Sequence, residues 1–118
     1  MNIIGNRLMA SSIIKTTDFA EKQTLVFELM FLADFAKNEY EIRYLKFYGV
    51  CFYQIEEVII PLGRQSQISL INDLGKIRRK LKVGTENLEV EIIRQRFEIL
   101  TTCGKRIIDF SKYEFVEN

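Results

Sequence analysis

The sequence predicts a mainly β fold, a small antiparallel β-sandwich or open barrel carrying one short helix. Three observations point there. Apolar and polar residues alternate at the strand period over long stretches. Val, Ile, Phe, Tyr and Thr dominate those stretches, as they do in half-buried strands. The strand candidates follow one another through short turns, with a single segment of helical spacing between them. The 118 residues include 47% apolar side chains, one Pro and no low-complexity tract. A chain of that size and composition builds one core, so residues 1–118 read as a single globular domain.

Taken in order, Ser11 to Thr17 offers a short first strand through Ile13, Ile14, Thr16 and Thr17. Residues 21–37 carry a nearly continuous apolar run that two readings fit. As a strand, Leu25, Phe27, Leu29, Phe31 and Ala33 form one apolar face, and Val26, Glu28, Met30 and Leu32 a mixed one. As a helix, Asp18 and Glu21 have capping-box spacing, but the surface would be apolar almost all round and would need burial that a small domain cannot supply. The strand is therefore preferred. If residues 21–37 were helical, the class would become α+β.

Tyr40 to Val58 is strand-like throughout, with Tyr40, Ile42 and Tyr44 alternating against Glu41 and Arg43. A change of phase at Tyr44 and Leu45 predicts a bulge there, and Gly49 breaks the strand. Cys51, Tyr53 and Ile55 then oppose Phe52, Gln54 and Glu56. Pro61 and Gly63 end this β-rich portion. In Ser66 to Leu81, the series Ile71, Leu74, Ile77 and Leu81 has helical spacing and predicts the short helix, although Gly75 weakens it. Residues 82–87 read as a loop. Leu88 to Thr102 returns to alternation with one phase change near Ile92 and Ile93. Gly104 then turns a tight hairpin into Ile107 to Phe110, and Tyr113, Phe115 and Val116 continue that hairpin to the end.

Composition also bounds the chemistry. There is no histidine, and Lys and Arg number 17 against 16 acids. The usual near-neutral proton exchanger and commonest metal ligand is thus missing, which excludes Ser-His-Asp and Cys-His catalysis and His-bearing zinc or haem sites. The six glycines stand singly, so no phosphate-binding glycine loop is present. Neither a cofactor nor a metal is expected. Cys51 and Cys103 lack CxxC spacing and read as free thiols of an intracellular, cytoplasmic protein, with one long-range bridge between them as the alternative. No apolar stretch is long enough for a signal peptide or a membrane span.

Few residues are candidates for function. Glu28, a carboxylate inside an apolar run, would serve an enzyme or ligand-binding barrel if buried. The neighbours Glu56 and Glu57, and the pair Glu89 and Glu91, read as solvated strand faces. Lys76, Arg78, Arg79, Lys80 and Lys82 form a basic cluster, and Arg94, Arg96, Lys105 and Arg106 would join it if the last hairpin lay alongside. Such a cluster suits an acidic protein partner or, as the weaker alternative in a nearly neutral domain, nucleic acid. Tyr44, Tyr48 and Tyr53 in one β-rich stretch suit a contact surface. The partner-binding candidates are accordingly Tyr44, Tyr48, Tyr53, Arg78, Arg79, Lys80 and Lys82. Self-association stays open as well.

The layout TLVFELMFL, then YEIRYLKFYGVCFYQIEEV, then RFEILTTCGKRIIDFSKYEF resembles small bacterial β-rich domains of uncharacterised families and of polymorphic-toxin immunity proteins, with Leu45, Phe47, Gly49 and Val50 at the matching positions. That resemblance implies a non-enzymatic, intracellular protein-binding domain, of the kind that inhibits a toxin. It transfers no individual functional residue.

Overall fold

The computed structural model describes residues 11–34, 37, 39–58 and 66–116, with residues 31–34 described by their backbone alone. Eight strands run in the order β1 (Ser12–Phe19), β2 (Thr24–Asp34), β3 (Glu39–Tyr48), β4 (Phe52–Glu57), β5 (Ser66–Val83), β6 (Leu88–Thr101), β7 (Gly104–Phe110) and β8 (Lys112–Val116). They form one sheet, ordered β4-β7-β6-β5-β1-β2-β3-β8, and every pairing is antiparallel. The sheet does not close, because β4 and β8 are its two edges. Halfway across, β5 and β1 pair only through Ser66–Gln67 and Ser12–Ile13. That narrow seam lets the two four-stranded halves fold face to face.

The core lies between the halves. Leu25, Phe27 and Leu29 from β2 and Leu45 and Phe47 from β3 meet Ile68, Ile71, Phe97, Ile99, Ile108 and Phe110 from the other half, all of them buried. The alternation expected for residues 21–37 therefore places Leu25, Phe27 and Leu29 inward on a strand. Phe47 crosses the interface edge-on, 4.9 Å from the Phe110 ring and 6.1 Å from Phe97. Edge-to-face geometry places the positive rim of one ring against the negative face of another, a gain beyond burial alone.

Three local expectations need correction. Residues 66–81 are not helical: they belong to the eighteen-residue strand β5. The only helical element among the described residues is a 3-10 turn at Ala20–Lys22. The reason is a bulge, since Asp73 pairs with Phe97 but Lys76 with Gln95, so Leu74 and Gly75 face a single residue of β6. The apolar positions change face across the inserted residue, Ile71 lying opposite the core residue Ile99 and Ile77 opposite Arg94 on the other side, so Ile71, Leu74 and Ile77 imitate a helical stripe.

The bulge expected at Tyr44 and Leu45 is also absent, because β3 pairs with β2 in unbroken register from Tyr40 to Tyr48. Tyr44 keeps its phase and stays on the outer face, where apolar bulk is tolerated. Finally, Tyr113 and Phe115 do not prolong the last hairpin, since β8 crosses to pair with β3. The β6–β7 hairpin itself forms as expected. Its Gly104 closes the turn opposite Thr101, and a Cβ there would overlap the backbone carbonyl of Glu56. Pro61 and Gly63 lie outside the described residues.

Gly75 has φ +84°, and its N–H donates to the Asp73 carboxylate at 2.9 Å. A Cβ would meet nothing there, so the cost of Gly75→Ala is the left-handed backbone alone, roughly 1 kcal/mol. Urea unfolding should show that loss. An unchanged midpoint would mean that the bulge relaxes to another conformation.

Candidate functional site

Beyond the bulge, β5 and β6 leave the body of the sheet as a ribbon of two strands. β7 stops opposite Gln95, and β1 reaches no further along β5 than Gln67. From Lys76 to Val83 and from Leu88 to Arg94, each strand therefore has only the other for a neighbour among the described residues.

Residues directly opposite one another share a face, so the register sorts the ribbon into two. One face carries Ile77 with Arg94, Arg79 with Ile92, Leu81 with Val90, and Val83 with Leu88. The other carries Lys76 with Gln95, Arg78 with Ile93, Lys80 with Glu91, and Lys82 with Glu89. The first face is apolar toward its tip, and water reaches it: Leu81 is 39% exposed, Val83 45%, Leu88 64% and Val90 36%. The phase change near Ile92 and Ile93 now has a physical meaning. The inserted residues lie on β5, so β6 keeps its alternation throughout, yet its apolar side switches from the core-facing Phe97 and Ile99 to the opposite face at Ile92, Val90 and Leu88.

The basic cluster of residues 76–82 is divided by the same alternation. Arg78 reaches diagonally to Glu91 at 3.6 Å and Lys80 diagonally to Glu89 at 3.8 Å, both exposed pairs. Arg79 points the other way, to the root of the ribbon, where it and Arg96 hold the buried carboxylate of Asp109. Arg96 grips Asp109 through two nitrogens, at 2.5 and 2.8 Å, and Arg79 reaches the same carboxylate at 3.1 Å. Both guanidiniums lie over the Phe52 ring, Arg79 at 4.7 Å and Arg96 at 5.5 Å from its centre. The hydrogen bonds that Arg96 donates to Asp109 raise the pKa of Arg96 above its ordinary value. An open groove of about 390 Å³ borders this root, lined by Leu81, Phe52, Asp18 and Gln23 among others.

Lys105 and Arg106 do not join the basic cluster. Lys105 pairs with Glu56 on the outer face, and Arg106 turns into the core side of β7. There Arg106 donates to both Glu57 oxygens at 2.9 and 3.0 Å, to Thr16 and to the Tyr53 hydroxyl. Burial pushes the Glu57 carboxyl up, but donors from Arg106, Thr101 and Ser66 outweigh it and hold the pKa below the ordinary carboxylate value. Burial raises the Tyr53 hydroxyl, more than Arg106 lowers it.

The tyrosines do not share a surface. Tyr53 packs inward 6.1 Å from the Phe27 ring, whereas Tyr44 and Tyr48 lie half-buried on the outer side of β3. Tyr48 is covered by the ammonium of Lys112 at 5.0 Å. Glu28 also faces outward, half-exposed between its cross-strand neighbours Lys15 and Tyr44. Cys51 and Cys103 are free and half-buried at opposite ends of the β4–β7 pair, so no bridge joins them.

The ribbon face and the Asp109 cluster both escape reasoning from spacing alone. The apolar face was signalled only by the change of phase in Leu88 to Phe97. The acid in IIDF, set among apolar residues, was the one hint of a buried carboxylate. Among the described residues, no helix is long and apolar enough to cross a membrane, and no cluster of three or more acidic or thiol side chains is placed to hold a metal. No protein-family model matches the chain, and a search of curated proteins finds no match either.

Proposed function

We propose that the chain is a non-enzymatic protein-binding domain that presents the β5–β6 ribbon to its partner. The observation that carries this reading is the row of Leu81, Val83, Leu88 and Val90, exposed together on one face of a two-stranded projection. A ribbon of two strands is marginal alone in water, and a contiguous apolar face on such an element marks a surface made to be covered. The root supports the same role. Two guanidiniums fixed on Asp109 and stacked on Phe52 join the ribbon to the sheet, so its direction is set before a partner arrives, which lowers the ordering cost of binding.

The ligand-binding or enzymatic alternative through Glu28 gains no support from a half-exposed position on an outer face. Nucleic acid is likewise the weaker alternative, since the chain carries 17 basic against 16 acidic residues and Arg79 is committed to Asp109 on the opposite face from Arg78 and Lys80. The layout resemblance to immunity-type domains makes a protein toxin the first partner to try. The test is capture with immobilised wild-type chain beside Leu88→Ser with Val90→Ser, and beside Lys15→Ser as a control on the body. A protein held by wild type and control but lost by the ribbon variant is the expected result. Equal retention by all three would sink the assignment of the surface.

A further inference from the structure

Resting on that protein-binding reading, we infer that the partner contributes an extended segment of alternating acidic and apolar residues, which adds to the sheet along the open edge of β5. Four successive alternate positions of this strand, Lys76, Arg78, Lys80 and Lys82, present cations on one face. The acids opposite them on β6 answer only two, through the long exposed pairs Arg78–Glu91 and Lys80–Glu89. Lys76 and Lys82 have no ion pair among the described residues. The intervening positions Ile77, Leu81 and Val83 offer apolar contact on the other face.

The edge also supplies backbone. In an antiparallel pair every second residue turns its N–H and C=O away from its neighbour, and from Lys76 to Val83 no described strand receives them. Main-chain hydrogen bonds then give affinity, and the two faces of the incoming strand give selectivity.

Charge selects this occupant over the others. A second copy paired through β5 would oppose its cations with cations, and one paired through β6 would oppose Glu89 and Glu91 with themselves. Pairing β5 of one copy with β6 of the next would not close and would build filaments. The chain's own first ten residues, which precede Ser11 beside Ile68, contain Arg7 and no acid, so they offer no charge match.

Three fluorophore-labelled eight-residue peptides test the inference at low and high salt: Glu alternating with Val, the same composition with glutamates in one block, and Lys alternating with Val. The alternating acidic peptide should bind best, and Arg78→Glu with Lys82→Glu should weaken it roughly tenfold and favour the Lys peptide instead. Amide exchange should slow in residues 76–83 of β5 rather than in 88–94 of β6. Equal binding of block and alternating peptides, protection on β6, or no binding at low salt would each overturn the inference. So would a dimer in sedimentation equilibrium that Leu88→Ser dissociates. If capture depends on Leu88 and Val90 while no peptide binds, protein binding stands and strand addition falls; if neither occurs, both fall.

Discussion

Replacing Asp109 with alanine is expected to cost about 3 to 5 kcal/mol of unfolding free energy. Its carboxylate is fully buried and is held by Arg96 and Arg79. Removing it leaves two guanidiniums facing each other over Phe52 with no counter-charge, and their partial exposure does not replace its hydrogen bonds. The cost belongs to breaking the cluster rather than to lacking it. Changing all three residues together, Asp109→Leu with Arg79→Met and Arg96→Met, should therefore destabilise far less than Asp109→Ala alone, because apolar groups of similar volume need no partners. Urea unfolding of both variants decides the matter. If the triple variant loses at least as much as the single one, the cluster contributes net stability and this account of it is wrong.

Glu57→Gln should cost about 3 kcal/mol near neutral pH, since Arg106 is 8% exposed and would keep its charge with no carboxylate to meet it. The effect should depend on pH in a defined direction. The native carboxyl is held below its ordinary value of 4.5, so the unfolded chain takes up the proton first as acid is added. Stability from this group is thus complete above that value and is lost as pH falls through the lower native one. The gap between wild type and Glu57→Gln should be widest at neutral pH and close in acid. A gap that stays constant would mean that Glu57 is not the titrating partner.

Much of the architecture was legible, and where it was not the cause is local. Leu25, Phe27 and Leu29 read correctly as one strand face because the period of two is the same in sequence and in space. The β6–β7 hairpin was equally plain, its turn marked by Gly104. β5 failed since a bulge disguises a strand: Leu74 and Gly75 displace the pattern by one residue, and no propensity reports an inserted residue whose reason lies on the neighbouring strand. Tyr44 misled in the opposite way, by being apolar on an outer face.

The candidate site was less legible, because its parts are distant in sequence. Arg78, Lys80 and Lys82 were read as one cluster with Arg79, and only the register with Glu89, Glu91 and Ile92 separates them onto two faces. Asp109 meets Arg79 across 30 positions, a pairing that no spacing rule anticipates. Tyr53 was grouped with Tyr44 and Tyr48 by proximity in sequence, although the crossover at Gly49 carries it into the core of the other half. The exposed ribbon face was present in the alternation of Leu88, Val90 and Ile92, but a row of apolar residues in sequence does not say whether anything lies over it.

The most direct measurement is urea unfolding of the variant carrying Leu88→Ser and Val90→Ser, on the same preparation whose partner capture is lost. If this face exists for a partner, the unfolding free energy should stay within about 0.5 kcal/mol of wild type, as for surface substitutions that touch no core or network. A loss of several kcal/mol, of the size seen when core side chains are cut back, would show that these residues hold the fold together and would contradict the account.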